Sequence, residues 1–347
     1  MLITLTDSGE APRLRAWLVR QGFEARSVQR GMGLLLADPW VPWEVRDALA
    51  ADPAVACLDE VSEGPRRVLR QGPPAPPDPT WELGPVPVIA GPCAVEDPGA
   101  IREVAAFAAS LGIGWLRGGT DKTRTRVDAF QGHGARAATW LHEAARAHGL
   151  RSITEVTDSP EAEAIAEAVD VVMVGARHMH ASRHLQRIGR LGKPVVLKRG
   201  LAASPEEWLR AAEYLLDAGA PTVAFCERGS RAAHPLKRFT LDLGAVPFIR
   251  EVSAFPVLVD PSHAAGYGPY VAPLARAAIA AGAHGVIVEC HPDPARARSD
   301  ALQALDFEAL GRLVEEVVRL RAALTPEIPL APRPLRPGSG ATDKAGA

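Results

Sequence analysis

Long apolar runs are missing from this sequence. No stretch of about 20 apolar residues occurs in its 347 residues, which excludes a transmembrane helix. Met1 to Asp7 offers neither a basic n-region nor a long apolar core, so the start is not read as a secretory signal. An excess of either charge is missing too. Lys and Arg total 39 against 41 Asp and Glu, for a net charge of -2. That balance gives no nucleic-acid surface and no polybasic membrane patch. Cysteine is scarce: Cys57, Cys93, Cys226 and Cys290 stand alone, with no Cys-x-x-Cys pair. A disulfide scaffold would need denser cysteine in a shorter chain, so the protein reads as reduced and cytoplasmic. Glycines form no G-x-G-x-x-G after a strand, which argues against a dinucleotide fold.

What is present divides the chain. Pro65, Pro73, Pro74, Pro76, Pro77 and Pro79 cannot sit in a helix or a central strand, so 62–84 reads as a semi-rigid linker. Residues 325–347, rich in Pro, Gly and Ala, read as a loose tail. Residues 1–61 predict strand, helix, two strands, helix, strand. That βαββαβ order is the order of a small ferredoxin-like module, which binds an effector, dimerises or serves as a plain accessory domain. Residues 85–324 repeat strand then helix. Eight short apolar runs without alternation predict parallel strands buried on both faces, at Val86–Cys93, Trp115–Gly118, Ser152–Val156, Val171–Ala176, Pro194–Lys198, Thr222–Glu227, Pro256–Asp260 and Gly285–Glu289. Eight βα units over this length predict an α/β fold, a (β/α)8 TIM barrel.

Chemistry in such a barrel sits where strands end. Every predicted strand delivers a charged or metal-capable group to one mouth. Arg117, Lys122, Arg124, Arg177, Lys198 and Arg228 gather positive charge there, and two of the chain's five lysines are among them. A guanidinium offers a planar fork to phosphate or carboxylate, and an ammonium a point charge. Six cations call for more than one anionic group. Cys93, His263, Glu289 and Asp300 come from the first, seventh and eighth strands, which are neighbours once the barrel closes. A thiolate, an imidazole and two carboxylates can hold a divalent transition metal: Mn, Fe, Co or Zn. His178, His180 and His184 lie in Arg-rich, non-strand surroundings and read as a solvated loop and helix start.

Nine short motifs then carry a resemblance, in order from Val86 to Leu324. They are Val88-Ile89-Ala90-Gly91-Pro92-Cys93-Ala94-Val95-Glu96, Leu116-Arg117-Gly118-Gly119, Lys122-Thr123-Arg124-Thr125, Phe130-Gln131-Gly132, Gly175-Ala176-Arg177, Leu197-Lys198-Arg199-Gly200, Cys226-Glu227-Arg228-Gly229, Asp260-Pro261-Ser262-His263 and Val288-Glu289-Cys290-His291-Pro292. The chain resembles 3-deoxy-D-arabino-heptulosonate 7-phosphate (DAHP) synthase of the type I-beta class. Its N-terminal module resembles the ferredoxin-like regulatory domain of some members. The resemblance implies condensation of phosphoenolpyruvate with D-erythrose 4-phosphate, with release of phosphate, at the first step of the shikimate pathway. It implies Cys93, His263, Glu289 and Asp300 as metal ligands. Arg117, Lys122, Arg177, Lys198 and Arg228 are implied for phosphoenolpyruvate, and Arg124 and Thr125 for the aldose phosphate. On that reading the catalytic residues are Lys122, Glu155 and His263: Lys122 is the candidate proton donor to the aldehyde oxygen, and Glu155 or the metal shell handles the water. Residues 1–61 would bind Tyr or Phe, and the barrel would form a homo-oligomer, a dimer or a tetramer.

The strand 2 loop departs from the usual Lys-Pro-Arg-Thr-Ser by reading Lys122-Thr123-Arg124-Thr125-Arg126. The alternative is therefore a paralogue acting on a different aldose, for instance arabinose 5-phosphate. Enzymes of that sister reaction carry Lys-Ala-Asn-Arg in the loop, which the Lys-x-Arg-Thr here does not match.

Overall fold

A computed structural model describes residues 2–28, 33–36, 41–59, 67–68, 79–122, 128–231 and 239–324. Most of the Pro-rich segment and the whole tail lie outside the described residues, as do Arg124 and Thr125. The described residues fall into two compact units. One runs to Asp59, and the other holds Arg67, Val68 and everything from Pro79 to Leu324.

The first unit is a four-stranded antiparallel sheet in the order β2-β3-β1-β4. Its strands are β1 (Leu2–Leu5), β2 (Ala25–Val28), β3 (Gly33–Leu36) and β4 (Val55–Asp59), and its helices are α1 (Ala11–Arg20) and α2 (Trp43–Ala50). Element order and strand order together are ferredoxin-like, as expected. Ile3 and Leu5 alternate along β1 and Leu34 and Leu36 along β3. They share one core with Leu14 and Leu18 of α1 and Val45 and Leu49 of α2.

The second unit is a closed parallel barrel. Its strands are β5 (Val88–Gly91), β6 (Trp115–Arg117), β7 (Arg151–Glu155), β8 (Val171–Val174), β9 (Val195–Lys198), β10 (Val223–Glu227), β11 (Val257–Val259) and β12 (Gly285–Glu289). β12 closes the ring against β5 with Ile287 opposite Ile89. The strands are buried on nearly every residue, because helices cover the outside and side chains fill the inside. Those helices include α3 (Pro98–Ser110), α4 (Gly134–Ala147), α5 (Ala162–Glu167), α6 (Ser182–Gly189), α7 (Pro205–Ala218), α8 (Ala245–Val252), α10 (Gly268–Ala280) and α11 (Phe307–Ala323). A short α9 (Pro261–Ala265) directly follows β11.

The two mouths of the barrel differ. At the strand starts, Trp81 stacks on Trp115 with ring centroids 6.0 Å apart, and its Nε1 donates to Thr222 Oγ1 at 2.9 Å. This apolar plug joins Ile89, Ile153, Met173, Val196, Leu258 and Ile287 in one core. It leaves the strand ends as the mouth that carries charge.

One expectation fails. The three histidines after β8 are not all on a solvated surface. His184 is 7% exposed, and its ring lies 5.0 Å from that of His178. His184 sits on the face of α6 that also carries the buried Leu185 and Ile188, so helical geometry turns it into the protein.

Candidate active site

Each strand end contributes to one cluster. Glu289, the last residue of β12, is fully buried. Three neighbours hold it. Arg117 at the end of β6 donates from Nη1 to Oε1 at 2.7 Å, Gln303 Nε2 donates to Oε2, and the Glu289 N–H donates to Ser262 Oγ at 2.9 Å. Burial opposes ionisation, but His263, Arg117 and Lys122 outweigh it and hold the Glu289 carboxyl at about 2.

Cys93 follows β5. Its sulfur lies 3.0 Å from Asp300 Oδ2, 3.1 Å from Ser299 Oγ and 3.0 Å from Lys122 Nζ. Burial and the charge of Glu289 push its thiol up to about 12. Lys122 Nζ also donates to the Cys93 carbonyl at 3.0 Å. Burial works against the Lys122 ammonium, but Cys93, Glu289 and Glu155 hold its pKa above the ordinary lysine value. Asp300 has a φ of 52°, the one non-glycine positive φ among the described residues. Asp tolerates this left-handed region better than most side chains.

His263 sits in α9, and the strand ends before Asp260. Asp260 is the N-cap: its Oδ1 accepts from the His263 N–H at 2.9 Å. Its Oδ2 accepts from His263 Nδ1 at 2.7 Å and from Lys198 Nζ at 2.6 Å. A carboxylate can only accept, so Nδ1 carries the proton and Nε2 keeps its lone pair. Burial lowers the His263 pKa below the ordinary imidazole value despite the acids beside it, which favours the neutral ring at neutral pH. Nε2 lies 3.4 Å from Glu289 Oε1.

Cys93, His263, Glu289 and Asp300 thus each offer a ligand atom, and these atoms lie within 4.8 Å of one another. The set fits a divalent transition metal. It pairs a soft sulfur and an imidazole nitrogen with two carboxylates, and Asp260, Arg117 and Gln303 orient the ligands from behind.

The expected cations are distributed less evenly. Arg117 and Lys198 are buried in ion pairs with Glu289 and Asp260, yet Arg117 Nε is buried and has no acceptor among the described residues. An anion in the mouth would satisfy it. Arg228 is buried with its guanidinium 4.3 Å from the centre of the Phe239 ring, and Arg177 is exposed in the turn after β8. Arg199, given no role by sequence, pairs with Glu227 at 3.1 Å and Asp242 at 2.8 Å. Glu155 ends β7. A Cβ on Gly175 would sit 2.0 Å from its Oε1, so only glycine leaves room for that carboxylate. Burial would neutralise Glu155, but Lys122, Lys198, His178 and His263 outweigh it and lower its pKa.

Sequence reasoning gave no role to Asp260, Ser262, Ser299 or Gln303. The Asp-Pro step after an apolar run is an N-cap signature and could have marked Asp260. Gln303 carries no such signal, because an irregular loop brings it to Glu289.

Comparison with known proteins bears on this mouth. Residues 84–325 match the profile described as "DAHP synthetase I family". A "Phospho-2-dehydro-3-deoxyheptonate aldolase" from Thermotoga maritima is 46% identical over 237 residues, covering 68% of this chain and 70% of that protein. A "2-dehydro-3-deoxyphosphooctonate aldolase" from Nitrosococcus oceani is 30% identical over 246 residues, covering 66% of this chain and 87% of that protein. Among solved structures, a Thermotoga maritima phospho-2-dehydro-3-deoxyheptonate aldolase (DAHP synthase) superposes with a TM-score of 0.73 at 36% identity, over 93% of this chain and 97% of that one.

Proposed function

The chain belongs to the DAHP synthetase I family, and from that premise we propose how its barrel mouth condenses phosphoenolpyruvate with D-erythrose 4-phosphate. The products are 3-deoxy-D-arabino-heptulosonate 7-phosphate and inorganic phosphate, and one water is consumed. The similarity to the heptonate enzyme, 46% against 30% for the octonate enzyme, favours erythrose 4-phosphate over arabinose 5-phosphate as acceptor.

The observation that carries the reading is the convergence of four metal-ligating atoms beside a row of cations. Arg117, Lys122, Arg177, Lys198 and Arg228 receive the phosphate and carboxylate of phosphoenolpyruvate, and Arg117 Nε, which has no acceptor among the described residues, is one donor left for them. Arg124 and Thr125 receive the aldose phosphate. C3 of phosphoenolpyruvate attacks the aldehyde carbon, forming the new C–C bond and leaving C2 electron-poor. Lys122 donates a proton to the former aldehyde oxygen, which becomes a hydroxyl. Water adds at C2 and gives its proton to Glu155, held ionised by its lysine neighbours. The C2–O bond to phosphate then breaks as the C2 hydroxyl passes its proton to the departing phosphate, the ketone forms, and the proton on Glu155 returns to Lys122. Cys93, His263, Glu289 and Asp300 would hold a divalent ion (Mn, Fe, Co or Zn), which when bound would supply Lewis-acid polarisation of the aldehyde.

Residues 85–324 are the catalytic barrel, joined by 62–84 to a regulatory module over 1–61 that takes Tyr or Phe. Inhibition by these amino acids that survives removal of 1–61 would contradict that assignment. A dimer or tetramer in the cytoplasm, serving the entry to the shikimate pathway, completes the reading, and sedimentation tests the assembly. No helix among the described residues is long and apolar enough to cross a membrane. The reaction itself is tested with Cys93→Ser and Lys122→Met. Cys93→Ser should bind metal more weakly. Lys122→Met should bind metal normally and lose turnover. A Lys122→Met enzyme with unimpaired proton transfer would remove Lys122 from its role.

A further inference from the structure

Lys122 and Asp300 meet at the Cys93 sulfur, but they arrive on separate loops beyond the ends of β6 and β12. The barrel sheet alone does not fix one loop against the other. The loop of Lys122 has a hairpin stem. Asp121 bridges Gly132, the Lys122 N–H donates to Gln131 O at 2.9 Å, and the N–H groups of His133 and Gly134 donate to Thr120 O. Phe130 lies two residues before Gly132 on the returning arm of that stem. The loop of Asp300 passes Phe130 at Arg298, whose guanidinium carbon lies 3.8 Å from the ring centre. The Arg298 N–H donates to Glu96 Oε1 at 2.7 Å. His133, edge-on to Phe130 at 5.1 Å, has its Nε2 3.1 Å from the Glu96 carbonyl. Three loops, after β5, β6 and β12, therefore meet at one point on the rim.

The contacts close a circuit. From Arg298 the chain runs to Ser299 and Asp300, whose side chains lie 3.1 and 3.0 Å from the Cys93 sulfur. Lys122 Nζ lies 3.0 Å from the same sulfur and is tied through its backbone to Gln131, next to Phe130. Phe130 returns to Arg298. We propose that Arg298 and Phe130 form a cation–π clasp that sets the position of Asp300 and Lys122 relative to each other. Both are positioning residues for the metal ligand set and for the lysine beside it. The inference rests on the assignment of Cys93, His263, Glu289 and Asp300 as a metal site. A clasp has a physical task here. Asp300 has a left-handed backbone, which a non-glycine residue keeps only when its surroundings hold it. The Glu96 bond and the Phe130 stack supply that hold two residues upstream.

The test uses the full chain loaded with Zn2+ and the rate at which a chromogenic chelator removes it. Arg298→Ala and Phe130→Leu should each release metal about two- to fivefold faster than the wild type, the range for an exposed cation–π contact. The double variant should be no faster than either single one, since both remove the same contact. Arg298→Lys and Phe130→Tyr keep a cation and a ring and should restore most of the slow release. Amide exchange at Lys122 and Arg298 should quicken in the two disruptive variants. The KM for phosphoenolpyruvate should rise more than kcat falls. Unchanged release in folded Arg298→Ala, or single effects that multiply in the double variant, would overturn the clasp. If the wild type turns over no phosphoenolpyruvate, the functional reading fails while release and exchange still decide on the clasp.

Discussion

One oxygen of Asp260 serves two partners: its Oδ2 accepts from His263 Nδ1 at 2.7 Å and from Lys198 Nζ at 2.6 Å. The same carboxylate therefore orients the imidazole of the four-residue cluster proposed to hold metal and a cation proposed to bind phosphoenolpyruvate. Asp260→Asn keeps the helix cap, since Asn caps as well as Asp. It replaces one accepting oxygen with a donor. Metal affinity should fall about 10- to 100-fold, as is usual when an oriented ligand loses its partner. The KM for phosphoenolpyruvate should rise as well. A chelator competition series measures the first and steady-state kinetics the second. Loss of one without the other would show that the two sites are not joined through Asp260.

Gly175 gives the sharpest probe of Glu155. The methyl of Gly175→Ala would overlap Glu155 Oε1, so the carboxylate must move. Displacement by about 1 Å costs on the order of 100-fold in turnover when the group acts on a reacting atom. Metal affinity should stay within about twofold, because Glu155 is not among the four ligand residues. Normal turnover in Gly175→Ala would remove Glu155 from the chemistry.

Metal uptake should depend on pH through Cys93. Its thiol is protonated throughout the neutral range, with a pKa pushed up to about 12. A metal held by the proposed ligand set takes the thiolate, so its binding expels that proton. Apparent affinity should therefore rise with pH by about tenfold per unit between roughly pH 7 and 9. His263 adds little to this slope, since burial already favours its neutral ring. Calorimetry in buffers of different ionisation enthalpy should show about one proton released per metal. Zero release would mean that the sulfur does not ligate as a thiolate.

Trp81 tests the division of labour between the two mouths. Trp81→Ala removes a ring that is 4% exposed and leaves Thr222 without its donor. The barrel should lose about 3–5 kcal/mol of stability. Metal affinity should hardly change, because the ligands lie at the opposite ends of the strands. Urea unfolding of the metal-free protein gives the first number and chelator competition the second. A large loss of metal affinity would show that the plug also shapes the site.

Much of this was legible in the sequence, for identifiable reasons. Strands buried on both faces read as unbroken apolar runs, and Gly285–Glu289 has the same limits by pattern and by structure. The start of the helix Pro205–Ala218 is marked in the sequence as well, because Ser204 and Glu207 form a capping box ahead of it. The convergence of Cys93, His263, Glu289 and Asp300 was legible because a barrel turns strand ends into neighbours. The five-residue α9 was not, since one turn has no periodicity to read. Nor was the burial of His184, where arginines on the outer side of α6 mask the apolar face it shares. The network behind the ligands was hidden for a different reason. The direction of Asp260 is set by a cap that only the Asp-Pro step signals, and Gln303 comes from an irregular loop that leaves no pattern in residue spacing.

The most direct measurement is consumption of phosphoenolpyruvate by metal-loaded protein, with erythrose 4-phosphate and arabinose 5-phosphate in parallel and a chelator arm for each. The account predicts rapid loss with erythrose 4-phosphate alone, abolished by the chelator and restored by added Mn2+ or Zn2+. Equal loss with arabinose 5-phosphate, or loss indifferent to the chelator, would contradict it.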